Sequence, residues 1–393
     1  MKQLLLIIGL LLLFAAEILR VYFIMPFPGS QHNNTISIAY WLNNNIFWIR
    51  ILALVLLIVP LINIFKTGKK WMKILLSLVL VLYGVIFFFF NFRFEADKMF
   101  YQPKIKLFST AVYDTTNKNK LIIGVAINGE AKAYPIEIIG YHHEVKDTVG
   151  EKPVLVTYCT VCRTGRVYSP FVNGKYEQFR LVGMDHFNAM FEDATTKSWW
   201  MQATGKAISG KLKGTQLDEI PSRQMQLSDW LLLYPNSLIL QPDSNFKKDY
   251  ADLKGYDEGT LKSKLEKRDS SSWKMKSWVV GVVINGKAKA YDWNELTNKK
   301  MIEDVVGDTP LIITLAPNRK TFYVMSRKQD GNILHFMYDA KNVSLKDDET
   351  KLTWNLDGYC VDGAMKGKQL RPIQAYQEFW HSWNNFHPLT TRY

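Results

Sequence analysis

The sequence predicts a mainly β protein with short helices, an α+β arrangement of two tandem homologous repeats behind an all-α anchor of three transmembrane helices. Three observations carry this reading. Three apolar stretches, each about 18–22 residues long, crowd the first quarter of the 393-residue chain. An eleven-residue string at Gly124–Tyr134 recurs at Gly281–Tyr291, 157 positions on, with nine identities. In both copies two apolar runs flank an Asn-Gly pair, the signature of a hairpin closed by a type I′ turn.

The anchor comes first, over residues 1–94, with spans at about 4–25, 48–65 and 74–92. Each is long enough to cross a hydrocarbon core of roughly 30 Å as a helix. The chain carries a net +13, of which residues 1–94 hold +7, eight basic residues against Glu17 alone. Lys66, Lys69, Lys70 and Lys73 sit between the second and third spans, whereas residues 26–47 hold no Lys, Arg, Asp or Glu. The positive-inside rule then puts the N-terminus and the lysine loop in the cytoplasm, and everything after Arg93 outside. The expectation is an integral cytoplasmic (inner) membrane protein with a large extracytoplasmic C-terminal part. A cleaved signal peptide fits the first stretch less well, because Phe14-Ala15-Ala16-Glu17 is a poor cleavage site and no lipobox cysteine follows. Cleavage would leave the large part on the same side. Glu17 and Arg20, at i and i+3, are expected to pair and so ease the burial of charge in the span.

The exterior reads as a first repeat over 95–240, a polar connector over 241–277 and a second, degenerate repeat over 278–393. Asp147-Thr148-Val149-Gly150 matches Asp304-Val305-Val306-Gly307 at the same offset. Further on the offset becomes 153, and Gly205, Gly210, Gly214, Leu217, Trp230 and Pro235 meet Gly358, Gly363, Gly367, Leu370, Trp383 and Pro388. Val154–Tyr158 and Leu311–Leu315 read as buried strands. Ser228–Tyr234 reads as a capped short helix stopped by Pro235.

A duplication isolates what only one copy has. Tyr158-Cys159-Thr160-Val161-Cys162-Arg163 stands where the second copy has Leu315-Ala316-Pro317-Asn318-Arg319-Lys320. His142-His143-Glu144 stands where it has Lys299-Lys300-Met301. Two cysteines at C-x-x-C spacing can close a redox disulfide or clamp a soft metal. Arg163 and Arg166 nearby are expected to favour thiolate, and His143 and Glu144 to move protons. Met184, His186 and Met190 form a looser group of copper-type donors. Asp147, His186, Ser198, Gln202 and Thr204 are candidate pocket residues, while Cys360 and Trp200 read as core. The sequence has no phosphate loop, serine-hydrolase elbow or zincin motif. The exterior charge is scattered, against a nucleic-acid partner.

The ordered motifs Val125–Pro135, His143-Glu144, Asp147–Gly150, Pro153–Cys162 and Ser198–Gly205 resemble the bacterial domain-of-unknown-function family 3179. In that family's pattern an Asn stands where Lys146 is here and a Pro where Thr160 is. The resemblance implies a redox motif at the two cysteines, since some relatives carry selenocysteine there, but it brings no established activity. Two chemical readings therefore stand: a thiol-disulfide oxidoreductase-like protein with an extracytoplasmic thiol partner, or a copper- or zinc-binding and delivery protein using Cys159, Cys162 and His143 with a metal partner. A non-catalytic cell-envelope scaffold is a third.

Overall fold

The structure is a computed structural model that describes residues 1–32 and 34–393. The chain divides into two compact units, one of residues 1–102, 172–201 and 205–216, the other of residues 103–171, 202–204 and 217–393.

The first unit holds the three long apolar helices: α1 (Lys2–Tyr22), α2 (Ile36–Thr67) and α3 (Lys70–Phe92). Each is long and apolar enough to cross a membrane. Gly9 lets α1 lie against α2, since a Cβ there would stand 2.7 Å from the Leu57 side chain. Leu13, Ala53 and Leu57 fill the seam. Helix α2 begins at Ile36, twelve residues ahead of the span expected from Trp48. Asn43, Asn44 and Asn45 lower the hydropathy of this segment without breaking a helix, so polarity ended the sequence-based span before the backbone did. At about 1.5 Å per residue the helix is longer than a hydrocarbon core is thick. Tyr40 in the additional turns meets the Trp199 ring edge-on, centroids 5.1 Å apart.

The expected pairing of Glu17 with Arg20 is replaced by pairings between helices. Arg50 of α2 grips the Glu17 carboxylate at 2.7 and 2.8 Å, and Asn91 of α3 donates to it at 2.9 Å. Arg20 instead binds Glu95 and Asn91, at 2.8 and 2.9 Å. The two neighbouring helices supply more donors to a buried carboxylate than one side chain of its own helix can, and each charge is compensated. A four-stranded antiparallel sheet (Phe179–Asp185, Asn188–Asp193, Trp199–Met201, Ala207–Ser209) completes this unit. The Ile24 carbonyl after α1 accepts from the Met184 amide at 2.8 Å.

The second unit is mainly β. In one sheet Leu121–Ile127 lies between Glu130–Pro135 and Arg223–Gln226; in another Trp278–Ile284 lies between Lys287–Asp292 and Ala375–Phe379. Positions matched by the two sequence offsets pair alike: Gly124 faces Arg223 and Ala133, and Gly281 faces Tyr376 and Ala290. Both Asn-Gly turns have the two positive φ angles of type I′, 49° and 84° at Asn128-Gly129, 48° and 73° at Asn285-Gly286. Trp230 covers Gly124, and Trp383 covers Gly281. The helix expected from Ser228 spans Leu227–Leu233, with Gln226 rather than Ser228 at its N-cap. Two three-stranded sheets follow the hairpins, Glu144–Val149, Lys152–Cys159, Thr164–Tyr168 and Met301–Val306, Thr309–Leu315, Phe322–Ser326.

Candidate functional site

The strand Lys152–Cys159 is buried from Val154 onward, turns over Thr160–Arg163 and returns as Thr164–Tyr168, with Cys159 paired to Thr164. Arg163 closes the turn in the left-handed region, φ 56°, its amide donating to the Thr160 carbonyl at 3.3 Å. Both cysteines are thiols with no solvent exposure. The short turn brings the two sulfurs into hydrogen-bond contact.

The walls of this site come from distant parts of the second unit. Lys276, from the connector, donates through Nζ to the Val161 carbonyl at 2.6 Å and meets His381 Nε2 at 3.1 Å. Its ammonium is electrostatically coupled to both sulfurs. The Phe379 amide donates to the Cys162 carbonyl at 2.9 Å, which fixes the strand Ala375–Phe379 and the helix after it, Trp380–Phe386, against the turn. Ser382 Oγ contacts the Cys162 sulfur and lies 3.2 Å from Thr164 Oγ1. It donates to Glu378 Oε2 at 3.0 Å. Glu378 Oε1 in turn holds Arg166 Nη2 at 2.5 Å, both side chains essentially excluded from solvent. Tyr256 donates to the Thr160 carbonyl at 2.9 Å.

Electrostatically, burial pushes the Cys162 thiol well above its ordinary range, and Cys159 adds to this, while Lys276 and Ser382 oppose it. The thiolate expected from Arg163 and Arg166 is therefore not the resting state. The arginines are committed elsewhere. Arg163 donates to Gln377, at 2.9 Å, and to the carbonyls of Tyr256 and Asp257, and its guanidinium lies 3.9 Å over the Trp278 ring. Burial lowers Lys276, against the pull of the two sulfurs. Burial and the Lys276 charge hold His381 neutral, with its pKa near 3.

His143 is the left-handed C-cap of the helix Ile136–His142, φ 61°. Its carbonyl accepts from Tyr158 at 3.0 Å, and burial lowers its pKa to about 4. Glu144 pairs with Thr157, so strand alternation puts Glu144, Thr157 and Cys159 on one face. Among the described residues no three His, Cys, Asp or Glu side chains are gathered to hold a metal ion, so the Cys159, Cys162, His143 ligand set has no geometric support.

Gln202 donates to Thr157 Oγ1 and the Thr164 carbonyl, both at 3.0 Å, which places it beside the cysteine-bearing strands. Thr204, two residues on, is half-buried. Asp147 accepts from Tyr134 at 2.7 Å and pairs with Lys132; Asp304 does the same with Tyr291, at 2.9 Å, and Lys289. A contact made twice is scaffold. Ser198 and His186 belong to the first unit. Ser198 sits in a turn, bonded to Asp193 and Thr196, and His186 pairs with Asp185 at 3.0 Å, which raises its pKa. Met184 pairs across the hairpin with Ala189 and Met190 with Gly183, so the two sulfurs project from opposite faces and cannot share a copper ion. Cys360 is buried core beside Trp354, as expected.

The model of a protein of unknown function, DUF3179, matches residues 101–390. The chain belongs to the DUF3179 family. No curated protein and no solved structure matches it. Within this family member, sequence reasoning missed Lys276, Glu378, His381 and Ser382. The signal was present: at the sequence offset of 153, Glu378, His381 and Ser382 fall opposite Met225, Ser228 and Asp229.

Proposed function

We propose that this protein is a membrane-anchored dithiol–disulfide redox protein acting through Cys159 and Cys162 outside the cytoplasmic membrane. The observation that carries the reading is the pair of touching sulfurs set against the Lys276 ammonium, in only one of two similar halves. In thiol–disulfide exchange one thiolate attacks a partner disulfide, forming a mixed disulfide and releasing one thiol. The second cysteine then displaces the other, so two thiols of the site become a disulfide and one partner disulfide becomes two thiols. The cation beside the sulfurs supports the thiolate that each step requires. Complete burial of the pair makes local opening around the half-buried Lys276 and His381 part of each cycle. The side of the membrane rests on the lysine loop between α2 and α3, and the matched strand registers support a tandem duplication.

Redox trapping in cells tests the reading. Acid quenching and alkylation of the full-length protein should find Cys159 and Cys162 shifting between dithiol and disulfide when the envelope is made reducing or oxidising. Replacing both by Ser should abolish the shift. A pair that stays dithiol under every condition, or purified protein that carries stoichiometric metal lost on Cys159→Ser, overturns it.

A further inference from the structure

The oxygen of Ser382 touches the Cys162 sulfur on one side and donates to Glu378 on the other, at 3.0 Å. Ser382 is fully buried and Glu378 is 1% exposed, so bulk water does not compete for this path. Independent contacts fix the same arrangement: the Phe379 amide donates to the Cys162 carbonyl, and the Thr164 hydroxyl bridges that carbonyl and Ser382. Arg166 lies between two carboxylates, 2.5 Å from Glu378 and 3.7 Å from Glu219. Two carboxylates around one guanidinium leave a surplus negative charge, and one of them can take up a proton while Arg166 remains paired.

We propose that Glu378 is the proton acceptor for Cys162, reached through the Ser382 hydroxyl, and that Cys162 is thereby the sulfur activated first. The thiol proton passes to the serine oxygen as the serine proton passes to Glu378 Oε2. Cys162 becomes a thiolate, Glu378 a neutral carboxyl, and the net charge of the buried site is unchanged. This matters because losing the proton to water would leave a new net charge in a dry site, which is what burial penalises. An internal transfer forms a thiolate in a fraction independent of pH. Its residues come from the half that lacks the cysteines: Ser382 touches the reacting sulfur, and Glu378, which acts on Cys162 only through Ser382, is a positioning residue. Lys276 faces the same sulfur from the connector, and Arg166, Glu219 and Thr164 face the relay from the remaining walls.

The inference rests on the redox reading only in calling Cys162 the attacking sulfur; the proton path is tested without redox chemistry. In the reduced full-length protein in detergent, carbamidomethylation of Cys162 by iodoacetamide is followed against pH by peptide mass spectrometry. The wild type should show a plateau at neutral and mildly acidic pH. Ser382→Ala, which keeps the Arg166–Glu378 pair, should lose the plateau, its rate falling tenfold per pH unit. Ser382→Thr, which restores a hydroxyl, should recover it. Identical profiles for wild type and Ser382→Ala overturn the relay, as does a wild type without a plateau. Treating the same samples with 2-hydroxyethyl disulfide separates the two claims: a plateau without any Cys159–Cys162 disulfide refutes the redox reading and leaves the relay standing.

Discussion

Arg166 and Glu378 meet at 2.5 Å although 212 positions separate them in the chain. The pair joins the strand that returns from the cysteine turn to the last long strand of the other half, and both side chains are nearly inaccessible. Its guanidinium also lies 3.4 Å over the Tyr376 ring. Breaking such a pair from one side leaves an uncompensated buried charge. Arg166→Met should therefore destabilise the protein by about 3–5 kcal/mol. Arg166→Met with Glu378→Leu should recover much of that loss, because the fully buried carboxylate is gone and the one left, Glu219, is 29% exposed and keeps access to water. Urea unfolding of the wild type, Arg166→Met, Glu378→Leu and the double variant checks this; additive losses would mean that the two side chains are not coupled.

The two tryptophan-over-glycine contacts give a paired prediction. A Cβ on Gly124 would stand 2.4 Å from the Trp230 ring, and one on Gly281 would stand 2.2 Å from Trp383. Neither tryptophan has room to retreat, since both are buried. Gly124→Ala and Gly281→Ala should each cost about 1–3 kcal/mol by overpacking. Thermal unfolding should rank them alike. If one is neutral, the two halves do not share this packing.

These contacts show what the sequence could and could not reveal. The Asn-Gly turns, the buried strands and the three apolar helices follow from local pattern, and local pattern sufficed. Asp147 looked like chemistry beside His143-Glu144, yet its Tyr134 and Lys132 partners recur around Asp304. The extension of α2 to Ile36 was hidden because three asparagines lower hydropathy without ending a helix. Lys276, Glu378 and Ser382 reach the cysteines only through tertiary structure. No spacing within either half places Ser382 against Thr164, 218 positions away.

Acid sensitivity follows from the buried histidines. Burial lowers the pKa of His143 from 6.5 to about 4. A depressed folded value means that the unfolded chain binds the proton more tightly. The stability this neutral histidine allows is thus complete above the unfolded pKa and is lost as pH falls through the window from 6.5 to about 4. The slope there should reach about 1.4 kcal/mol per pH unit for this group. Asn tolerates the left-handed backbone at this position, so His143→Asn should unfold with a flatter pH dependence. A variant as acid-sensitive as the wild type assigns the effect to other groups, His381 first among them, whose pKa lies near 3.

Lys276 decides how readily the buried pair reacts. Burial and the neighbouring Cys159 raise the Cys162 thiol, and the Lys276 charge opposes them. The same ammonium is anchored by the Val161 carbonyl at 2.6 Å, so it stands beside the sulfurs whatever their protonation state. Lys276→Met preserves much of the chain's volume and removes the charge. Withdrawing an opposite charge at this range should raise the Cys162 thiol further and slow alkylation at neutral pH about tenfold. Lys276→Arg should stay near the wild-type rate, and unfolding in urea should expose all three cysteines equally in every variant. The unfolded control separates loss of the charge from loss of the fold. A Lys276→Met protein that alkylates at the wild-type rate would mean that the ammonium only anchors the Val161 turn, and Ser382 alone would then stabilise the thiolate.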